Sequence, residues 1–314
     1  MSTTLNESTV RTATSPSQRL RRTMAAVRVS VRWFGIRRSL TAEQKAEAAE
    51  PFNAEASFLS EGKKLLDNSH PAFKSVTAVK NKVISYWKSM SLPYPEPGIR
   101  LIRQDRIDEF AAKITEFQEE LAEAVENLDR RFHELKSAAR QRLGSLYNPA
   151  DYPESLRNLF SVEADFPSVD APEYLQQLNP QLYEEECRRV QSRFDEAVRL
   201  AEEAFTAELA KLVSHLTERL SGQDDGKPRV FRDSAVENLS EFFQRFRELN
   251  VRSSEQLDQL VVDAQRVIRG VEPQDLRDNQ GLRQHVATEM SRVQSVLDGL
   301  LVNRPRRAIL RRPK

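Results

Sequence analysis

The sequence predicts a mainly α protein: a long antiparallel helical hairpin, a small two-stranded β-ribbon at its base and a C-terminal helical module. Three observations predict it. Apolar residues recur every three or four positions from Ile107 to Leu146 and again from Leu182 to Leu220. A valine-alternating run, Val27 to Trp33, has the period of a strand. Only 9 glycines occur in 314 residues, which disfavours folds rich in tight turns and also glycine-rich phosphate loops.

Residues 1–24 are rich in Ser, Thr and Arg without periodicity and are expected to be a disordered basic arm. Val27, Val29, Val31 and Trp33 alternate with Arg28, Ser30 and Arg32, and Gly35 ends that strand. Thr41 can cap a helix from Ala42 to Glu50, which Pro51 stops. Further helices are expected over Ala54–Leu66 and Pro71–Lys88. Prolines 93, 95 and 97 forbid a helix over Leu92–Gly98, and Ile99–Arg103 is the expected partner of the first strand.

Asp105 is expected to cap the first long helix, whose stripe runs Ile107, Phe110, Ile114, Phe117, Leu121, Val125, Leu128, Phe132, Leu135, Ala139 and Leu143. Forty residues of helix would extend about 60 Å, so its seam needs a long partner. The second stripe (Cys187, Val190, Phe194, Val198, Ala201, Phe205, Leu209, Leu212, Leu216, Leu220) is the partner expected. A proline-punctuated connector, residues 148–180, joins the two and would form the hairpin tip. Gly222–Pro228 is the clearest break and the expected boundary between a domain at 25–221 and a helical module at 229–303. Helices are expected there at Ser234–Leu249, Ser254–Arg269 and Gly281–Val302, followed by a basic tail, 304–314.

The net charge of +1 hides an asymmetry. Residues 1–40 hold eight arginines and one acid, and the last eleven residues hold six bases and none. Removing these fourteen bases and one acid from the totals of 48 and 47 leaves a body with 34 bases and 46 acids. Basic ends on an acidic body suit polyanion binding or contact between copies. Arg19, Arg21, Arg22, Arg304, Arg306, Arg307, Arg311 and Arg312 are the candidates for salt-sensitive contact with DNA or RNA.

Catalytic chemistry finds little support. His70, His133, His215 and His285 are scattered with no ligand spacing, so no metal and no cofactor is expected. Cys187 sits on an apolar stripe and suits an inert buried thiol; one cysteine fits a reducing compartment. Gly62-Lys63-Lys64 lacks the first glycine of a phosphate loop, because position 57 is Ser57. No apolar run approaches the length of a membrane span, and the start lacks a secretion signal, so a cytoplasmic, non-enzymatic protein is the expectation. Tyr152, Leu156, Phe160 and Phe166 in the connector are the candidates for binding a protein partner.

Several segments together carry a resemblance: the valine strand ending at Gly35, Glu61-Gly62-Lys63-Lys64-Leu65-Leu66-Asp67, Pro93–Ile102 before a long helix, and Tyr152-Pro153 with the second long helix. Over about residues 27–220 the chain resembles a domain-of-unknown-function family carried by proteobacterial plasmids, integrative elements and phages. Its members are often encoded near MoxR-like AAA+ ATPases and von Willebrand A-type proteins. The resemblance implies a non-enzymatic scaffold or adaptor in DNA processing or ATPase-linked remodelling. It carries over no catalytic residue. A nucleic-acid-binding accessory protein, gripping phosphates with both basic ends and associating with its own copies, is the alternative.

Overall fold

The computed structural model describes residues 14–220 and 233–302. It is mostly helical, at 69%, which bears out the mainly α expectation, with a small antiparallel sheet beside the helices. In chain order the elements are α1 (Pro16–Thr23), β1 (Met24–Arg32), β2 (Arg37–Ser39), α2 (Ala42–Ala49), β3 (Gly62–Lys64), α3 (Pro71–Ser89), β4 (Ser91–Pro93), β5 (Ile99–Arg103) and α4 (Ile107–Arg130). Then follow α5 (Phe132–Leu143), β6 (Ser161–Asp165), α6 (Tyr174–Leu178), α7 (Pro180–Leu220), α8 (Ser234–Leu249), α9 (Glu255–Ile268), α10 (Pro273–Asp278) and α11 (Gln280–Val302).

Five differences from the sequence expectation stand out, four of them with local causes. Residues 16–23, expected within a disordered arm, form α1: Ser15 and Gln18 make a reciprocal capping box and Pro16 takes the first helical position. The helix expected over Ala54–Leu66 is replaced by a 3-10 turn at Ala56–Phe58 and by β3, which pairs antiparallel with β2. The first long helix breaks at Arg131, whose N–H donates to the Leu128 carbonyl at 3.0 Å, a tightened turn that separates α4 from α5. Arg106, not Asp105, occupies the cap position of α4, behind a 3-10 turn at Gln104–Arg106. The sheet holds four strands where a two-stranded ribbon was expected.

The chain divides into two compact units that do not follow the expected boundary, and Gly222–Pro228 lies outside the described residues. One unit, which we call the lobe-bearing unit, comprises residues 26–90 and 104–167. In it β1 and β6 pair antiparallel, with Arg28 opposite Asp165 and Val31 opposite Val162. Val27 and Val29 are buried while Arg28 and Ser30 face solvent, as the alternation predicts. The α4 stripe from Phe110 to Leu128 is buried, and so is its α5 continuation through Phe132, Leu135 and Ala139. Here α4 packs on α3: Tyr86 stacks on Phe110 at 5.6 Å and meets Phe117 edge-on at 5.7 Å.

Among the described residues the other, helical unit comprises 14–25, 91–103, 168–220 and 233–302. β4 and β5 form a hairpin, Leu92 opposite Leu101, and Gly98 turns it at φ 80° with the Ile99 N–H donating to the Glu96 carbonyl. α7 runs its full predicted length and buries Val190, Phe194, Ala197, Ala201, Phe205, Leu209, Val213 and Leu216 against α11, α1 and α8. Phe205 meets Phe246 edge-on at 5.0 Å, with Arg245 over the Phe205 ring at 5.8 Å. Ser254 caps α9, accepting from the Leu257 N–H. The seams of α4 and α7 are thus covered by neighbours inside their own units. Cys187 is half-buried, and its closeness to Tyr183 raises the Tyr183 pKa.

Candidate interaction surface

The lobe-bearing unit takes its name from residues 40–61, the excursion between β2 and β3. Its base is tight. Arg38 pairs with Lys63 in register, and the pairing extends through Leu40 N–H to the Glu61 carbonyl (3.2 Å) and Leu65 N–H to the Ile36 carbonyl (2.7 Å). A Cβ at Gly62 would stand 3.0 Å from the Arg38 carbonyl oxygen, so any side chain there would push the paired strand by a few tenths of an ångström.

The base is also clamped from beneath. Lys63, only 6% exposed at its side chain, places its ammonium 2.7 Å from Asp151 Oδ2 and donates to the Leu146 carbonyl at 2.7 Å. The contact with Oδ2 is an ion pair outside hydrogen-bond alignment, since that oxygen has no aligned donor. Tyr152 is buried, stacks on Tyr147 at 5.1 Å and donates its hydroxyl to the Leu65 carbonyl at 3.0 Å. Burial, then the charges of Tyr147 and Asp151, push its pKa up to about 12. Asp67 accepts from Arg142 at 2.6 Å and from the Ser69 hydroxyl and N–H, and these bonds hold its carboxyl far below the usual carboxylate range. The Gly62–Asp67 run, dismissed as a phosphate loop, is therefore one side of a structural clamp.

Above this base the lobe holds its shape by local bonds. Thr41 and Gln44 form a capping box on α2. Pro51 turns its end into a 3-10 turn, and Asn53 closes it at φ 49°. Within residues 40–61 only Ala49 is buried. Phe52 is 80% exposed and Phe58 85%, the most open large apolar side chains among the described residues. Five glutamates (Glu43, Glu47, Glu50, Glu55, Glu61) accompany them against one base, Lys45, and all five are exposed. Among the described residues none of the five is in an ion pair. Covering a bare phenylalanine is worth about 1.5–3 kcal/mol, and the lobe leaves two of them open on an anchored support.

The predicted site residues fall differently. Tyr152, Leu156 and Phe160 are buried in the lobe-bearing unit, Phe160 with Trp33 edge-on at 4.8 Å, so they are core and not a free docking face. Asp129 holds the same segment, accepting from the Leu156 N–H at 2.7 Å and from Ser155 at 3.0 Å. Of the four predicted partner-binding residues only Phe166 is open, at 42%; Tyr174 and Leu178, elsewhere in the expected tip, are open too. Arg19 donates to the Val251 carbonyl at 2.9 Å and Arg21 pairs with Asp170 at 2.8 Å, both inside the helical unit. Arg22 is exposed. Arg304, Arg306, Arg307, Arg311 and Arg312 lie outside the described residues.

Phe52 and Phe58 escaped the sequence reading. Their signal was present: two aromatics among Glu, Asn, Ala and Ser, beside Pro51 and outside any continuing stripe. His70 caps α3, its Nδ1 accepting from the Ala72 N–H at 3.2 Å. No group of three or more His, Cys, Asp or Glu is placed to hold a metal ion among the described residues, and no helix there is long and apolar enough to cross a membrane. No family model, curated protein or solved structure matches the chain.

Proposed function

We propose that this chain is a non-enzymatic helical adaptor that takes hold of a protein partner through residues 40–61. The carrying observation is the pair Phe52 and Phe58, 80% and 85% exposed on a lobe whose base is locked by Lys63. The partner proposed on the family resemblance is a MoxR-like AAA+ ATPase of the same mobile element or phage, in a DNA-processing or remodelling complex. Pairing of α4 with α7 as a hairpin is not needed by this reading. For nucleic-acid binding, Arg19 and Arg21 are already engaged and Arg22 is exposed, while the tail arginines lie outside the described residues.

Calorimetric titration of the full chain into the purified ATPase tests the reading. Burial of two phenylalanines offers about 3–6 kcal/mol before ordering costs. Phe52→Ser with Phe58→Ser should therefore weaken binding by at least tenfold while circular dichroism stays unchanged. Equal binding by both proteins would refute the lobe as the site. DNA binding that falls steeply with salt and requires residues 304–314 would favour the nucleic-acid reading instead.

A further inference from the structure

We propose that the lobe at residues 40–61 receives residues 304–314 of a second copy of this chain, joining copies head to tail. The inference goes beyond the adaptor reading: it sets residues 304–314 of a second copy on the surface which that reading gives to the ATPase, so the two occupants would compete.

The two surfaces match in charge and in apolar content. The lobe offers five exposed glutamates and two bare aromatic rings. Residues 304–314 read Arg-Pro-Arg-Arg-Ala-Ile-Leu-Arg-Arg-Pro-Lys, with six cations, no acid and an apolar pair, Ile309 and Leu310, at the centre. Charge flanks the apolar residues on both sides: Glu50 and Glu61 lie outside Phe52 and Phe58, with Glu55 between them, and Arg306, Arg307, Arg311 and Arg312 lie outside Ile309 and Leu310. An apolar centre set on the rings puts guanidinium groups within reach of the carboxylates and of the ring faces. Arg19 and Arg21, in the other basic segment, are already engaged within the helical unit. Because donor and acceptor surfaces differ, the contact is heterologous, and each assembly keeps one open lobe at one end and one open tail at the other for further growth.

Sedimentation velocity of the full chain over a concentration series tests this, together with a chain lacking residues 304–314 and the variant Phe52→Ser with Phe58→Ser. The parent should associate as concentration rises, and several-fold less tightly at 300 mM salt than at 50 mM. Each variant alone should associate at least tenfold more weakly. Mixing the two should restore a one-to-one complex, because one supplies a lobe and the other a tail. A labelled peptide of residues 304–314 should bind the tail-less chain and not the double-serine chain.

A parent that stays monomeric overturns the proposal, including the case in which the peptide binds and the tail is held within its own chain. Association that survives either change, or a mixture that fails to restore it, also overturns it. If self-association fails while the double-serine change still releases the ATPase, this inference falls and the adaptor reading stands. If that change leaves ATPase binding intact, the adaptor reading falls separately.

Discussion

Replacing Lys63 by Met should destabilise the lobe-bearing unit by about 3 kcal/mol. The Asp151 side chain, 19% exposed, would lose its counter-ion, and the Leu146 carbonyl would lose its donor. Breaking a buried ion pair from one side costs about 3–5 kcal/mol, and the partial opening of Asp151 puts this case at the lower end. Removing both charges, Lys63→Met with Asp151→Leu, should cost only about 1 kcal/mol, mostly from the bare carbonyl. Urea unfolding followed by tryptophan fluorescence is the assay. Trp33 and Trp87, the only two tryptophans, both lie in this unit, so the signal reports on it alone. A shift of 3 kcal/mol is roughly a hundredfold in the folding ratio. A single-variant loss below about 1 kcal/mol, or a double variant as damaged as both singles together, would refute the clamp.

Other changes should be read in the same way. Asp67→Asn should lower stability at neutral pH, and its difference from the parent should narrow as pH falls below about 4, where an unfolded Asp protonates; a depressed carboxyl pKa adds stability that acid removes. Unfolding midpoints from pH 7 to pH 2 check this, and a difference that widens in acid contradicts it. Tyr152→Phe should cost about 1 kcal/mol and delete the phenolate absorbance step near pH 12, since the raised pKa favours the fold below pH 10 and that contribution fades between pH 10 and 12. Asp129→Ala should cost about 2 kcal/mol and speed hydrogen exchange at Leu156, whose N–H it accepts.

How much was legible follows from how locally each feature is encoded. α7 was readable because its apolar stripe lies within the element it defines, and α8 and α9 because their helical spacing is equally local. The capping box of Ser15 and Gln18 was equally local, yet it was hidden inside a segment whose overall composition suggested disorder. The break at Arg131 left no trace, because Leu128 and Phe132 keep helical spacing across it and both are buried. β3 was unreadable for the opposite reason. Three residues carry no period, and what makes them a strand is Arg38, whose carbonyl approaches Gly62. Lys63 looked like a remnant of a phosphate loop, since its acceptor at Leu146 lies 83 residues away. Tyr152, Leu156 and Phe160 have the composition of a binding face, and only tertiary burial shows them to be core.

The most direct test of the central claim is amide hydrogen exchange over residues 40–67 of the full chain, alone and saturated with the ATPase. Alone, Leu65 should exchange slowly because its N–H is bonded to the Ile36 carbonyl, while residues around Phe52 and Phe58 should exchange fast. On saturation, residues 50–60 should slow markedly. A bound partner that leaves residues 50–60 fast and protects another surface would contradict the account.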